Sequence, residues 1–210
     1  MDDIIIPIEE NSGIVKSVEI TGINASKLFE LALSFDDLEV AWYAIAKAEE
    51  IGESDSIVKE LLWKSAVLHY IKCFGGDRRN PLILGEVYGT AVKSATECHE
   101  YFKLLRNKFL IHDENVYTMG GVTALINDGT KINKIERIDC NIILSQTSDS
   151  QHIDTLKMLI STSLKWVDTS IAKLKEDLRL EFELKSYAEL AAYPGLTIRV
   201  PLSSEVTKKR

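Results

Sequence analysis

Arg106, Asn107 and His112 stand within seven consecutive positions. The imidazole can take up and return a proton near neutral pH, since its ordinary pKa is about 6.5. The guanidinium is a permanent cation whose planar fork suits phosphate oxygens. The carboxamide of Asn107 can both donate and accept, and so can orient an imidazole or a ribose hydroxyl. From Tyr101 to His112 the ionised residues are Lys103, Arg106 and Lys108, a cationic patch with no carboxylate beside it to hold a metal ion. These groups fit attack of a ribose 2′-hydroxyl on the adjacent phosphodiester without a metal. His112 would handle the proton and Arg106 would stabilise the charge that builds at phosphorus.

The element that must position them is a long helical pattern. Val87, Ala91, Ala95, Cys98, Phe102, Leu105 and Phe109 recur in steps of three and four, and His112 falls in line with them. Arg106, one residue past Leu105, points about 100° away from that stripe and about 120° from His112 on a straight helix. A single straight helix therefore does not bring the pair together. Convergence needs either fraying at Asp113-Glu114-Asn115 or a facing copy of the same helix.

An arginine, a polar residue and then a histidine five residues after the arginine, near the end of a helix, resembles the signature of the HEPN superfamily, the higher eukaryote and prokaryote nucleotide-binding domains. The preceding helical pattern, which includes Tyr70-Ile71-Lys72-Cys73-Phe74-Gly75-Gly76, adds weight. The resemblance covers roughly 26–115 and the long helix after Ser150, and leaves out the N-terminal segment and the tail. It implies a HEPN-like helical bundle and a metal-independent endoribonuclease in which Arg106, Asn107 and His112 are catalytic. Lys103, Lys108, Arg78 and Arg79 would then contact RNA. It also implies a homodimer in which motif helices of two protomers meet. A toxin or defence effector held silent by an antitoxin or regulatory protein fits that reading. The alternative is a HEPN-like module that binds a protein partner or a nucleotide without cleaving.

Composition sets the outer limits. A chain of 210 residues, 45% hydrophobic, reads as one domain over 1–210 with room for a proper core. Three cysteines, Cys73, Cys98 and Cys140, stand far apart with no C-x-x-C, which argues against a disulfide framework or zinc site and for a reducing cytoplasm. No signal peptide or membrane span is read, and no cofactor motif: Gly120-Gly121 is followed by Val122 and Thr123 instead of a phosphate loop. The net charge of -7 argues against a broad nucleic-acid grip, so any such contact must be local. His69, His99 and His152 share no spacing with one another or with acids that would suggest a metal site. Trp42, Trp63, Trp166 and Tyr70 read as core.

In chain order, Ile4-Ile5-Ile6, the turn Asn11-Ser12-Gly13 and Val18-Glu19-Ile20 suggest a short hairpin or edge strand over 1–22. Helical patterns occupy about 26–52, as two helices or one bent one capped by Asn24 or Ser26, and 55–74, begun at Ser54 and stopped by Gly75-Gly76. The motif helix covers 85–113 and completes the segment 24–115. Period-two alternation at Val122, Ala124 and Ile126 and at Ile138, Cys140, Ile142 and Leu144, about Asn127-Asp128-Gly129-Thr130, predicts a β-hairpin within 118–146. Helices follow over 150–193: a long one capped by Ser148 or Ser150 and a short one opened by a Ser186 to Glu189 capping box. Leu196, Ile198 and Val200 alternate like a strand, and 203–210 reads as a loose tail. The expected class is mainly α, with an inserted β-hairpin and short terminal strands.

Overall fold

The computed structural model describes residues 16–52, 54–75, 80–111, 118–129, 131–144 and 147–196. The architecture is mainly α with a two-stranded antiparallel sheet. Its elements are α1 (Ile23–Ile51), α2 (Ser56–Cys73), α3 (Leu84–Tyr88), α4 (Val92–Leu105), β1 (Thr118–Ile126), β2 (Ile135–Leu144), α5 (Ser150–Glu183) and α6 (Tyr187–Ala192). They form two compact units, one of Glu30–Ser170 and one of Met1–Phe29 with Ile171–Arg210. Helices α1 and α5 contribute to both. Among the described residues no helix is long and apolar enough to cross a membrane.

In the larger unit, α1 is one continuous helix, which resolves the choice between two helices and one. Leu31, Ser34, Leu38, Ala41, Ile45 and Ala48 recur at helical spacing and are buried. The helix stops just before Gly52 (φ 55), whose N–H reaches the Ala48 carbonyl; of the αL stop read at Gly75-Gly76 for the next helix, Gly75 has no positive φ and Gly76 lies outside the described residues. Helix α2 starts one residue later than the sequence suggested, because Asp55, not Ser54, accepts the Val58 N–H at 3.0 Å. It ends at Cys73, with the Phe74 N–H on the Ile71 carbonyl. Asp37 of α1 is 3% exposed and would be costly to bury alone, but it accepts from Lys72 Nζ (2.7 Å) and His69 Nδ1 (2.9 Å) of α2.

The single motif helix expected over 85–113 is interrupted. After α3 the backbone at Gly89 takes φ 51, a 3₁₀ turn covers Gly89–Ala91, and α4 then begins at Val92. The break lets Tyr88 at the end of α3 enter the core. At the other end, α4 passes into a π-helix over Arg106–Ile111 that lies against α2. A π-helix bonds residue i to i+5, a wider turn than an α-helix and one that recurs at functional sites.

The hairpin strands pair in antiparallel register, Val122 with Cys140 and Ala124 with Ile138, about a loop longer than the four-residue turn expected. The Asn127 N–H bonds the Lys134 carbonyl, and Asn127 Oδ1 accepts from the N–H of Gly129 (φ 86). A Cβ at Gly120 would lie 2.5 Å from the Asn141 carbonyl oxygen, so only glycine fits there. Both faces of the hairpin meet solvent: Val122 and Ile142 on one are each 71% exposed, and Ile143 on the other is 61% exposed. Where the chain leaves the hairpin it is pinned again. Buried Thr147 accepts from Trp63 Nε1 (3.0 Å) and donates to Glu60 Oε1 (3.0 Å). Asp149, neither Ser148 nor Ser150, caps α5 by accepting the His152 N–H.

In the smaller unit, the Ser186–Glu189 capping box forms as read, with both reciprocal hydrogen bonds. Lys16 Nζ donates to the Ala191 and Tyr193 carbonyls, and the Glu19 N–H to the Pro194 carbonyl at 2.7 Å. Val18–Ile20 are thus held beside the end of α6 but form no strand. The remainder of the expected N-terminal hairpin, Ile198, Val200 and the tail lie outside the described residues.

Candidate active site

On α4 the buried residues are Ala95, His99, Phe102 and Leu105; Cys98, expected on the stripe, is half-buried. This moves the buried face by about one residue, and with it the setting of Arg106. Counted from Ala95, His99 and Phe102, Arg106 lies within about 40° of the buried line, not 100° from it. It is accordingly half-buried at the start of the π-helix. Its Nη1 donates to Asn107 Oδ1 at 2.8 Å. That bond fixes one edge of the guanidinium and leaves most of its five N–H donors for other acceptors.

The rest of the expected constellation is only partly in view. His112 lies outside the described residues, as do Asp113, Arg78 and Arg79. Lys103 is exposed, and its ammonium bonds Glu100 at 3.0 Å, one turn back along α4. That acid stands just before the stretch counted from Tyr101, so the patch is less cationic than its sequence suggests. Lys108 is exposed. Among the described residues no three His, Cys, Asp or Glu side chains are grouped as a metal ion would require.

Three histidines dismissed on spacing have partners. His69 is held by Asp37. His152 bonds Asp149, three residues earlier, and its ring stacks on Tyr101 with centroids 4.5 Å apart. Asp149 is slightly desolvated, which works against its ionisation, yet the His152 backbone N–H and ring hold its carboxyl below the usual value. The i, i+3 spacing of this pair was a readable signal.

The third, His99, belongs to a polar network that sequence reading missed. Its Nδ1 lies 3.2 Å from Tyr70 Oη, which lies 2.9 Å from Tyr88 Oη, which lies 2.9 Å from Ser163 Oγ. Ser163 in turn donates to the Leu159 carbonyl at 2.8 Å. A carbonyl can only accept, so with Ser163 donating to Leu159 we assign the order from His99 Nδ1–H through Tyr70 and Tyr88 to Ser163, while the Tyr88 hydroxyl, 3.3 Å from the same Leu159 carbonyl, has a second acceptor there. In this order His99 is the neutral Nδ1–H tautomer. Burial favours that form and lowers the imidazole pKa below its ordinary value. Burial also raises the phenol pKa of Tyr70 and of Tyr88, so both hydroxyls keep their protons. Packed around by Phe74 and Phe102, the network locks α2, α3, α4 and α5 together two helical turns before Arg106. Its members come from four helices, and no spacing along the chain reports them.

No protein-family model, curated protein or solved structure matches this chain.

Proposed function

We propose that the protein is a HEPN-type endoribonuclease, and the observation that carries this reading is the Arg106–Asn107 bond at the head of the π-helical turn. A half-buried guanidinium with one edge fixed by its neighbour is preorganised for phosphate, because less side-chain freedom is lost on binding. In the proposed reaction His112 takes the proton of a ribose 2′-hydroxyl and the oxygen forms a bond to phosphorus. The bond to the 5′-oxygen then breaks, and that leaving oxygen takes up the proton that His112 gives back. Arg106 stabilises the phosphorane charge, Asn107 orients it, and Lys108 with Arg78 and Arg79 holds the RNA strand. The active form would be a homodimer across the motif helices, in a reducing cytoplasm, and a toxin or defence role under an antitoxin or regulatory protein fits it. The second reading, a HEPN-like module that binds a protein or nucleotide, draws on the Lys103–Glu100 pair, which removes one cation from the patch.

The test is RNA cleavage by the purified full chain. Chelator should leave the activity intact, and products should carry 2′,3′-cyclic phosphate and 5′-hydroxyl ends. RNA with blocked 2′-hydroxyls should survive. Arg106→Ala and His112→Ala should each lower the rate, by about 10² to 10⁴-fold for the proton-transfer group, and Asn107→Ala should do less. Cleavage that persists in both the Arg106 and His112 variants places the active site elsewhere, and a wild-type chain that cuts no RNA favours the binding module.

A further inference from the structure

Along the outer surface of α1 and α5 in the larger unit runs a shallow open groove of about 990 Å³. Its apolar floor includes Phe35, Val40, Trp42 and Tyr43, with Tyr43 64% exposed and Trp42 39% exposed. The reading of Trp42 as core is therefore corrected: positions 35, 39, 42 and 46 form a second line of α1, about 100° round the helix from the line that fills the bundle. Single exposed aromatics are ordinary, but Phe35, Trp42 and Tyr43 of α1 gathered in one groove beside Leu164 of α5 are what an interaction surface looks like. Carboxylates Asp36, Glu39 and Asp168 rim it against one cation, Lys165, and none of the three acids has an ion-pair partner among the described residues.

We infer that this groove docks a basic amphipathic helix of a partner protein, apolar side chains on Trp42 and Tyr43 and lysines or arginines on the acidic rim. Charge decides the occupant. Three carboxylates against one ammonium repel nucleic acid and disfavour a second copy of the same acidic strip, while they attract a cationic segment. The ring faces already attract cations within the chain: Lys157 Nζ lies 6.0 Å from the Trp42 ring and Lys47 Nζ 6.0 Å from the Tyr43 ring. The two lysines are tied to Glu49 and Glu50, which leaves the groove-side carboxylates for an incoming partner. A groove formed by two helices suits a third helix laid along it, read through anchors at i, i+3, i+4 and i+7. The inference is independent of Arg106 and His112, and its test reads binding, not cleavage.

The probe is a synthetic amphipathic peptide with leucine on one helical face and lysine on the other, labelled and titrated with the full chain by fluorescence anisotropy. Binding should saturate and weaken with salt. Tyr43→Ser and the pair Asp36→Lys with Glu39→Lys, all exposed changes that leave the core intact, should each raise Kd by about tenfold or more. The same peptide with glutamate for lysine should not bind. The inference is overturned if the lysine peptide fails to bind, if it binds the variants as it binds wild type, or if the glutamate peptide binds equally. A wild-type dimer that Tyr43→Ser dissociates would overturn it too, since a second copy would then fill the groove.

Discussion

Replacing Tyr70 with phenylalanine removes one oxygen from the middle of the buried network and leaves the ring packed against Phe74 and Phe102. The His99 Nδ1–H, 3.2 Å from that oxygen, loses its acceptor, and Tyr88 loses its donor while still donating to Ser163. One orphaned buried donor plus one lost bond amounts to about 2–3 kcal/mol. Tyr88→Phe removes an oxygen with more bonds, yet it should cost less. Tyr70 can then turn its hydroxyl onto His99 Nδ1 in the other tautomer, and Ser163 already donates to the Leu159 carbonyl at 2.8 Å. No group is orphaned, and the loss should be about 1 kcal/mol. At roughly 2–4 °C per kcal/mol for a chain of this size, Tm should fall by about 4–12 °C for Tyr70→Phe and about 2–4 °C for Tyr88→Phe. Thermal unfolding followed by far-ultraviolet circular dichroism measures both. Equal losses, or a larger one for Tyr88→Phe, would refute the one-way proton order and the tautomer assigned to His99.

The same network sets a pH dependence. Burial lowers the folded pKa of His99, so the unfolded chain binds a proton that the core resists. Stability from this group is complete above pH ~6.5 and falls as pH drops below it. Urea midpoints for wild type should decline through that window more steeply than for His99→Phe, and parallel curves would exclude His99 as the source. Thr147→Val should strip the acceptor from Trp63 Nε1–H and the donor from Glu60, whose other carboxylate oxygen already has no partner, at about 2–3 kcal/mol, whereas Thr147→Ser should be nearly silent. Denaturant unfolding of the two variants separates the hydroxyl from the methyl group. For the proposed nuclease, Asn107→Ala should slow cleavage less than Arg106→Ala, because it frees the guanidinium without removing its charge; a single-turnover assay that ranks them the other way would give Asn107 the larger role.

The sequence by itself determined the mainly α class, the helices at the two ends of the bundle and the hairpin between them, because these rest on local periodicity, which each segment carries alone. The Ser186–Glu189 capping box is local in the same sense, as both partners lie within one turn. Near Arg106, local pattern was enough to pick out Arg106 and Asn107 as neighbours but not the orientation of their helix. Only the tertiary structure decided that His99, not Cys98, faces the core, because the choice depends on hydroxyls supplied by Tyr70, Tyr88 and Ser163 from three other helices. That one-residue rotation brings Arg106 close to the buried line. The break at Gly89 was also a tertiary decision, since the helical stripe continues through it unbroken and only the seat of Tyr88 in the core demands a turn. Exposure went the same way: Trp42 looks like core in sequence, and whether a face is covered depends on which element packs against it.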